Sequence, residues 1–226
     1  MLIKLSPRLD AIAKLVPDTG GVADVGTDHG YIPVYLAQHG HAGELFATDI
    51  NKDPLEHAKR TAAENGLDGQ IGFFLCNGLE ALDGAGIETV IIAGMGGETI
   101  ADVLSAAPWT KEGSHLMILQ PMTKAPFLRT WLFDNGYRVL SEQLARDGTD
   151  YEILTIGAGL DDPYSPAELL TGHRKLISSD PLFSNRLSFL TERANRTKAG
   201  LTTSSRAEDF ERLKEINELI ASLSEL

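Results

Sequence analysis

The stretch Val22-Ala23-Asp24-Val25-Gly26-Thr27-Asp28-His29-Gly30-Tyr31 gathers the side chains of this sequence best suited to chemistry. Two carboxylates, an imidazole and a phenol crowd around two glycines, in the spacing Asp-x-Gly-x-Asp-x-Gly. An apolar strand that passes through a glycine turn into a helix offers open backbone and a helix N-terminus to a nucleotide-like ligand. Loops that hold dinucleotides carry a glycine where this chain has Asp28. A carboxylate buried in that turn would repel a pyrophosphate. A ligand with a cationic centre and no phosphate fits better, and S-adenosylmethionine, with its sulfonium and ammonium groups, is such a ligand. Asp28 is therefore the residue expected to do chemistry. Its competing reading is an N-cap for the helix after Gly30. His29 and Tyr31 are expected to line the same pocket, although a histidine at a helix start more often serves structure alone.

Four further strand ends complete the expected site. Asp49 closes a second strand about twenty residues after the glycine turn, where a Rossmann fold places its ribose-binding carboxylate; capping the helix that begins at Asn51 is its alternative role. Asn77-Gly78 follows a third strand, and an amide there can both accept from and donate to an adenine edge; a plain turn residue is nearly as good a reading. Ala93-Gly94-Met95-Gly96-Gly97 follows a wholly apolar strand and lets a ligand approach the backbone closely. Gln120 ends a fifth strand and is expected either to bond a substrate base or to tie off the strand. The expected cofactor-binding set is Asp24, Gly26, His29, Asp49, Ile50, Asn77, Gly78, Ala93, Gly94 and Met95. The expected catalytic set is Asp28, Gln120 and Tyr31. No clustered histidine and carboxylate ligands stand out, so no metal site is expected.

The elements that position these residues alternate between strand and helix, as in a doubly wound α/β sheet. Ser6-Pro7 reads as a cap and first turn for a helix reaching Val16, with Arg8 and Lys14 expected towards solvent. Strands are expected at Gly21–Val25, Glu44–Asp49, Ile71–Leu75, Thr89–Ala93 and Leu116–Leu119. Helices are expected at Tyr31–Gln38, Asn51–Asn65, Glu98 to about Ala106, and about Ala125 to Asn135. Tyr137–Leu144 and Tyr151–Ile156 read as a final antiparallel hairpin turning at Arg146–Thr149, the habit of S-adenosylmethionine-dependent methyltransferases. Composition shifts after Gly159, and Asp161-Asp162-Pro163 with Ser165-Pro166 reads as a linker. Beyond it Phe183, Leu187 and Leu190, then Phe210, Leu213, Ile216 or Asn217, Ile220 and Leu223, recur at coiled-coil spacing. The expected domains are residues 1–159, a Rossmann-like methyltransferase domain, and 160–226, a helical hairpin turning near Gly200 to Ser205.

The 226 residues suit one such domain with an appendage. The single cysteine, Cys76, excludes an internal disulfide framework and reads as a small buried residue in a reducing compartment. No signal-peptide pattern and no bilayer-length apolar run is present, so a soluble cytoplasmic protein is expected. The formal net charge of −12 argues against a broadly basic nucleic-acid binder, though local potential decides binding.

Leu5-Ser-Pro-Arg-Leu9, Ala23-Asp-Val-Gly-Thr-Asp-His-Gly-Tyr-Ile-Pro33, Ala93-Gly-Met-Gly-Gly97, Leu119-Gln-Pro121, Leu128-Arg-Thr-Trp-Leu132 and Tyr151-Glu-Ile153 occur in that order. Together they resemble the bacterial tRNA (adenine-N1)-methyltransferases that modify adenine 22. Gly172 to Leu190 resembles the start of that family's helical C-terminal domain. The resemblance implies transfer of a methyl group from S-adenosylmethionine to N1 of a tRNA adenine, flipped outward because N1 lies on the pairing edge. Asp28 would then stabilise the positive charge that develops on the base and bond its N6 amino group. One departure is Met122, where the family has asparagine after Gln-Pro. Between His173 and Lys198 lie six Lys or Arg against two acids. Arg186, Arg193 and Arg196 can share a helix face, and are the residues expected to meet tRNA. A non-catalytic S-adenosylmethionine-binding module with a coiled-coil partner surface, and a small-molecule methyltransferase, are the alternatives.

Overall fold

The computed structural model describes residues 2–202 and 207–226, with the backbone alone for 207 and 208. Its strands are β1 (Gly21–Val25), β2 (Leu45–Asp49), β3 (Ile71–Leu75), β4 (Ile87–Gly96), β5 (Leu116–Thr123), β6 (Tyr137–Asp147) and β7 (Thr149–Ala158). They form one sheet in the order β3-β2-β1-β4-β5-β7-β6. The first five are parallel, and β7 runs antiparallel to both β5 and β6. The expected α/β sheet with its final hairpin is the observed one. Strand order reverses between β1 and β4, and the carboxyl ends of these two strands frame the crevice where such sheets bind ligands.

Alternation along the central strands fills two cores. Val90 and Ile92 of β4 with Met117 and Leu119 of β5 face α4 (Gly97–Ser105) and α5 (Ala125–Asp134), meeting Ile100, Leu104, Leu128 and Leu132. Ile91 and Ile118 face the opposite side, which is covered by α1 (Pro7–Ala13), α2 (Tyr31–Gln38) and α3 (Lys52–Glu64) through Ile12, Ile32 and Ala62. Each such aliphatic side chain contributes about 1.5–3 kcal/mol when fully buried. Burial on both faces explains why β4 reads as an unbroken apolar run.

Several boundaries differ from expectation. β4 and β5 continue past Ala93 and Leu119, because Gly94 (φ 80°) makes a bulge that shifts register between Ala93 and Met95 and lets pairing resume as far as Thr123. The glycine-rich segment is thus largely strand rather than loop. α1 ends at Ala13, and Ser6 at its N-cap makes no side-chain capping bond. The expected linker ends in a capping box, in which Ser165 Oγ accepts from the Glu168 amide and Glu168 reaches back to Ser165, opening α6 (Pro166–Thr171). Cys76 is half-buried rather than buried.

After α7 (Arg174–Ile177), α8 (Phe183–Thr202) and α9 (Ala207–Ser224) pack side by side. Leu187, Leu190 and Ala194 meet Ile216, Leu219, Ile220 and Leu223, with Ala167 and Leu170 of α6 beneath. Leu219 joins this seam, whereas Phe210, expected in it, is exposed. Gly200 lies inside α8, so the expected turn falls mainly on residues 203–206, outside the described residues.

Charge fastens these helices to the sheet. The Arg129 guanidinium, 1% exposed, lies 2.9 Å from Glu142 of β6 and 2.7 Å from Glu152 of β7, and donates to the Leu169 carbonyl of α6. The two carboxylates outweigh burial and push its pKa further up. Glu142 also accepts from the His173 amide at 2.6 Å, and Glu152 pairs with Arg186 of α8.

Candidate active site

Hydrogen bonds tie three strand ends into one rim. The Gly26 amide donates to the Thr48 carbonyl at 2.8 Å, Thr48 Oγ1 donates to the Gly78 carbonyl at 2.9 Å, and the Cys76 amide donates to the Asp49 carbonyl at 3.1 Å. Beside this rim opens a cavity of about 310 Å³ between the ends of β1 and β4. It brings together Asp24, Gly26, Asp28, His29, Tyr31, Ala93 and Gly94 of the expected residues, and adds Arg8 and Thr27. Asp49, Ile50, Asn77 and Gly78 lie outside its lining, along the ends of β2 and β3. Met95 packs over Gly26, where any side chain would collide with it; Gly26 sits at φ 72°.

The carboxylate read as buried in the turn is not the buried one. Asp28 is open to water, its side chain 73% exposed, and it caps no helix: Gly30 (φ 66°) is the N-cap of α2, without any side-chain capping bond. A left-handed glycine starts this helix, which leaves the Asp28 carboxylate at the cavity mouth, 3.4 Å from His29 Nε2. The buried carboxylate is Asp24, whose one recorded side-chain bond is from Thr27 Oγ1 at 2.6 Å. Burial raises its pKa to about 6, and the Thr27 bond only partly counters this.

Asp49 is buried, and its Oδ1 accepts the Asn51 amide at 2.7 Å, which sets the entry to α3. That is the helix-entry role of its alternative reading, and it engages one of the two oxygens. Ile50 beside it is 65% exposed. Asn77 donates from Nδ2 to Glu80 at 3.3 Å, a turn bond, and is otherwise exposed.

Gln120 is fully buried, and its amide is already engaged. Oε1 accepts from Arg8 Nη1 at 2.6 Å and from the Gly94 amide at 3.2 Å; Nε2 donates to the Pro121 carbonyl at 3.1 Å and approaches Met122 Sδ at 3.5 Å. Its strand-tying role is the one seen, and Met122, 47% exposed, takes the position of the family's asparagine. Arg8 does not point to solvent as expected. α1 lies against the sheet through Ile12, so the side chain one turn earlier reaches the cavity, with its guanidinium 5.4 Å from the centre of the Tyr151 ring.

His29 stacks between Tyr31 (5.2 Å) and His57 of α3 (5.5 Å, planes 6° apart). Asp28, His29 and His57 bring ligand-capable atoms within 4.8 Å of one another, a cluster that sequence reasoning did not find because His57 arrives from another element. The rings are nearly parallel, so no single ion can lie in both ring planes as they stand. Of the three arginines expected to meet RNA, Arg193 and Arg196 are exposed. Arg186 is engaged by Glu152 and the Leu170 carbonyl, at the start of α8, where Phe183 and Leu187 pack with Leu144 of β6.

A family model described as a methyltransferase domain matches residues 5–154. The chain belongs to the methyltransferase domain family. Within it the chain is similar to the tRNA (adenine(22)-N(1))-methyltransferase of Bacillus subtilis, 36% identical over 158 residues. That alignment spans 70% of this chain and 66% of the relative's length. The similarity of fold runs further. The crystal structure of the B. subtilis m1A22 tRNA methyltransferase TrmK matches with a TM-score of 0.86 at 29% identity, over 100% of this chain and 99% of that one. The TrmK of M. capricolum, in complex with S-adenosyl-homocysteine, matches with a TM-score of 0.82 at 26% identity, over 99% of each chain. The helical pair is therefore part of the shared architecture. No helix among the described residues is long and apolar enough to cross a membrane.

Proposed function

We propose that this protein transfers a methyl group from S-adenosyl-L-methionine to N1 of adenine 22 in tRNA. The observation that carries this reading is the cavity at the β1–β4 crevice, lined by Asp24 and Asp28 and suited to a cationic donor rather than a pyrophosphate. The likeness to tRNA (adenine(22)-N(1))-methyltransferases supports the choice of acceptor.

The donor supplies an electrophilic methyl on a sulfonium. Asp24 accepts the ammonium group of its methionine moiety. Asp49 Oδ2 receives the ribose hydroxyls, while Oδ1 stays with the Asn51 amide. Ile50 covers one face of the donor's adenine, and Asn77 meets its edge beside Gly78. The backbone of Gly26 and of Ala93-Gly94-Met95 allows close approach. The target adenine enters at the mouth, beside Asp28, His29 and Tyr31. Adenine N1 is a weak nucleophile that becomes cationic on methylation, and the Asp28 carboxylate favours that charge without removing a proton. The exposed Arg193 and Arg196 face the RNA, whereas Arg186 tethers α8 to the sheet. Residues 1–159 form the catalytic unit, residues 160–226 hold the tRNA, and the setting is the cytoplasm.

The test is incubation of unmodified tRNA with isotopically labelled S-adenosylmethionine, followed by mass spectrometry of nuclease fragments. Label on the fragment that holds nucleotide 22, absent from a transcript with guanine at that position, is the expected result. Label elsewhere, or none while the donor binds, refutes it.

A further inference from the structure

We propose that the groove between α8 and the end of β5 seats the RNA strand beside the target adenine, and that Phe189 stacks on one of that strand's bases. This rests on reading the protein as a tRNA methyltransferase.

The groove encloses about 470 Å³ between two walls. One wall is the end of β5 and the start of α5, with the start of β7 beside it. The other is a face of α8, on which Arg186, Phe189, Leu190 and Arg193 recur at helical spacing. These four side chains have different tasks. Leu190 enters the seam with α9, and Arg186 holds Glu152. Phe189 does neither. It is 53% exposed and joins no core cluster among the described residues. It also lines a second hollow of about 260 Å³ with Arg146 and Asn185, so there is open space around it for a planar partner. Met122, likewise exposed, is its apolar counterpart on the opposite wall. Two large apolar side chains left in water across one groove mark a binding surface.

Charge selects the partner. The acids of the lining are already engaged, Asp150 by Arg146 and Glu152 by Arg129 and Arg186. Arg193 has no ion pair among the described residues, and Lys124 pairs only with Glu98, both of them 54% exposed, which makes a weak bond. Cations available to phosphates beside an open aromatic ring are the make-up of a single-strand RNA site. A second copy of this chain would bring another formal net charge of −12 and be repelled. Position gives the same answer. Tyr151 lines the groove, and its ring centre lies 5.4 Å from the guanidinium carbon of Arg8, which lines the cavity. Met122 Sδ lies 3.5 Å from Gln120 Nε2, and Gln120 Oε1 holds Arg8. Groove and cavity thus share a wall. A strand that delivers a flipped base to the cavity must lay its neighbouring nucleotides close by, and the groove is where it can do so.

Binding of unmodified tRNA by the full chain, measured over a range of salt, tests this. Phe189→Ala should weaken it by about 5- to 100-fold, the range of one base–aromatic stack. The slope of log K against log salt should stay that of the parent, because stacking releases no counterions, and S-adenosylhomocysteine affinity should not change. Phe189→Tyr should bind as the parent does, whereas Phe189→Leu, apolar but without a ring, should not. With 2-aminopurine placed on either side of the target nucleotide, one of the two positions should be dimmer in the parent complex than in the Phe189→Ala complex, since stacking quenches it. Phe189 is exposed, so the variants should melt with the parent; if Phe189→Ala does not fold, the contrast of Tyr with Leu carries the test. Parent-like tRNA binding by Phe189→Ala overturns the proposal, and so does equal binding by the Leu and Tyr variants. A parent that sediments as a dimer while Phe189→Ala sediments as a monomer assigns the groove to a second copy, and also overturns it. A parent that binds S-adenosylhomocysteine and no tRNA brings down the tRNA reading and this proposal with it, before any variant is made; failure at the variants alone leaves that reading standing.

Discussion

Replacing Asp24 by asparagine should make the protein more stable and a poorer binder of its cofactor. The carboxyl is buried, its one recorded side-chain bond is from Thr27, and its pKa lies at about 6 against an ordinary 3.8. That displacement is about two pH units, or about 3 kcal/mol of unfavourable charge burial at neutral pH. The raised pKa fixes the sign. The folded state favours the protonated acid, so its contribution to stability is complete below pH 3.8 and is lost as pH rises through about 6. Asparagine keeps an acceptor for Thr27 and removes the charge. The melting temperature at pH 7.5 should therefore rise, by about 2–4 °C for each kcal/mol recovered, in a chain of this size. Binding should move the other way. An ammonium group pairs only with the ionised form, so the parent's Kd for S-adenosylhomocysteine should weaken by up to about tenfold for each pH unit below 6. Asp24→Asn should lose about 1.5–3 kcal/mol of affinity at pH 7.5, the value of a charged hydrogen bond, and show no such pH slope. The same titration of the variant separates Asp24 from every other group in the cavity. A variant that melts lower than the parent, or a parent Kd that is flat between pH 5 and 7, would refute the reasoning.

Asp28→Ala should reduce methyl transfer by about 10²-fold or more while cofactor affinity stays within a few-fold. Because Asp28 is exposed and caps no helix, its melting temperature should hardly move, and wild-type turnover would remove it from the chemistry. Arg193→Ala combined with Arg196→Ala should weaken tRNA binding and flatten the plot of log K against log salt by about 1.4–1.8, with cofactor affinity unchanged; an unchanged slope would take α8 off the RNA. Arg129→Ala leaves Glu142 and Glu152 buried without their cation and should cost about 3–5 kcal/mol in denaturant unfolding. A loss below 1 kcal/mol would mean the carboxylates find other partners.

The order of strands and helices was legible because period and punctuation are local. An apolar run bounded by glycines marks β4, and Asp49 falls where the alternation of strand and helix requires. What the sequence hid was environment. Asp24 and Asp28 share one motif and differ only in whether the strand or the turn carries them, so their burial depends on the sheet around β1 rather than on spacing. Arg8 sits on an amphipathic helix whose polar face looked solvated; only the contact of α1 with the sheet turns it inward. Arg186 fell on the same helical face as Arg193 and Arg196, yet the start of α8 packs with Leu144 of β6, and Glu152 takes the first cation of the three. His57 gave no signal, since its neighbours in space lie on another element.

Adjacent residues of β7 serve opposite faces of the sheet. Tyr151 lies under the Arg8 guanidinium on one side, and Glu152 meets Arg129 and Arg186 on the other. Side chains alternate with a period of two, so inserting or deleting one residue between Gly148 and Ile153 would exchange both sets of contacts together. The hairpin can then drift in length only in even steps, or at its turn. A one-residue change in this strand would therefore disturb the seat of Arg8 at the cavity and the seat of α8 together.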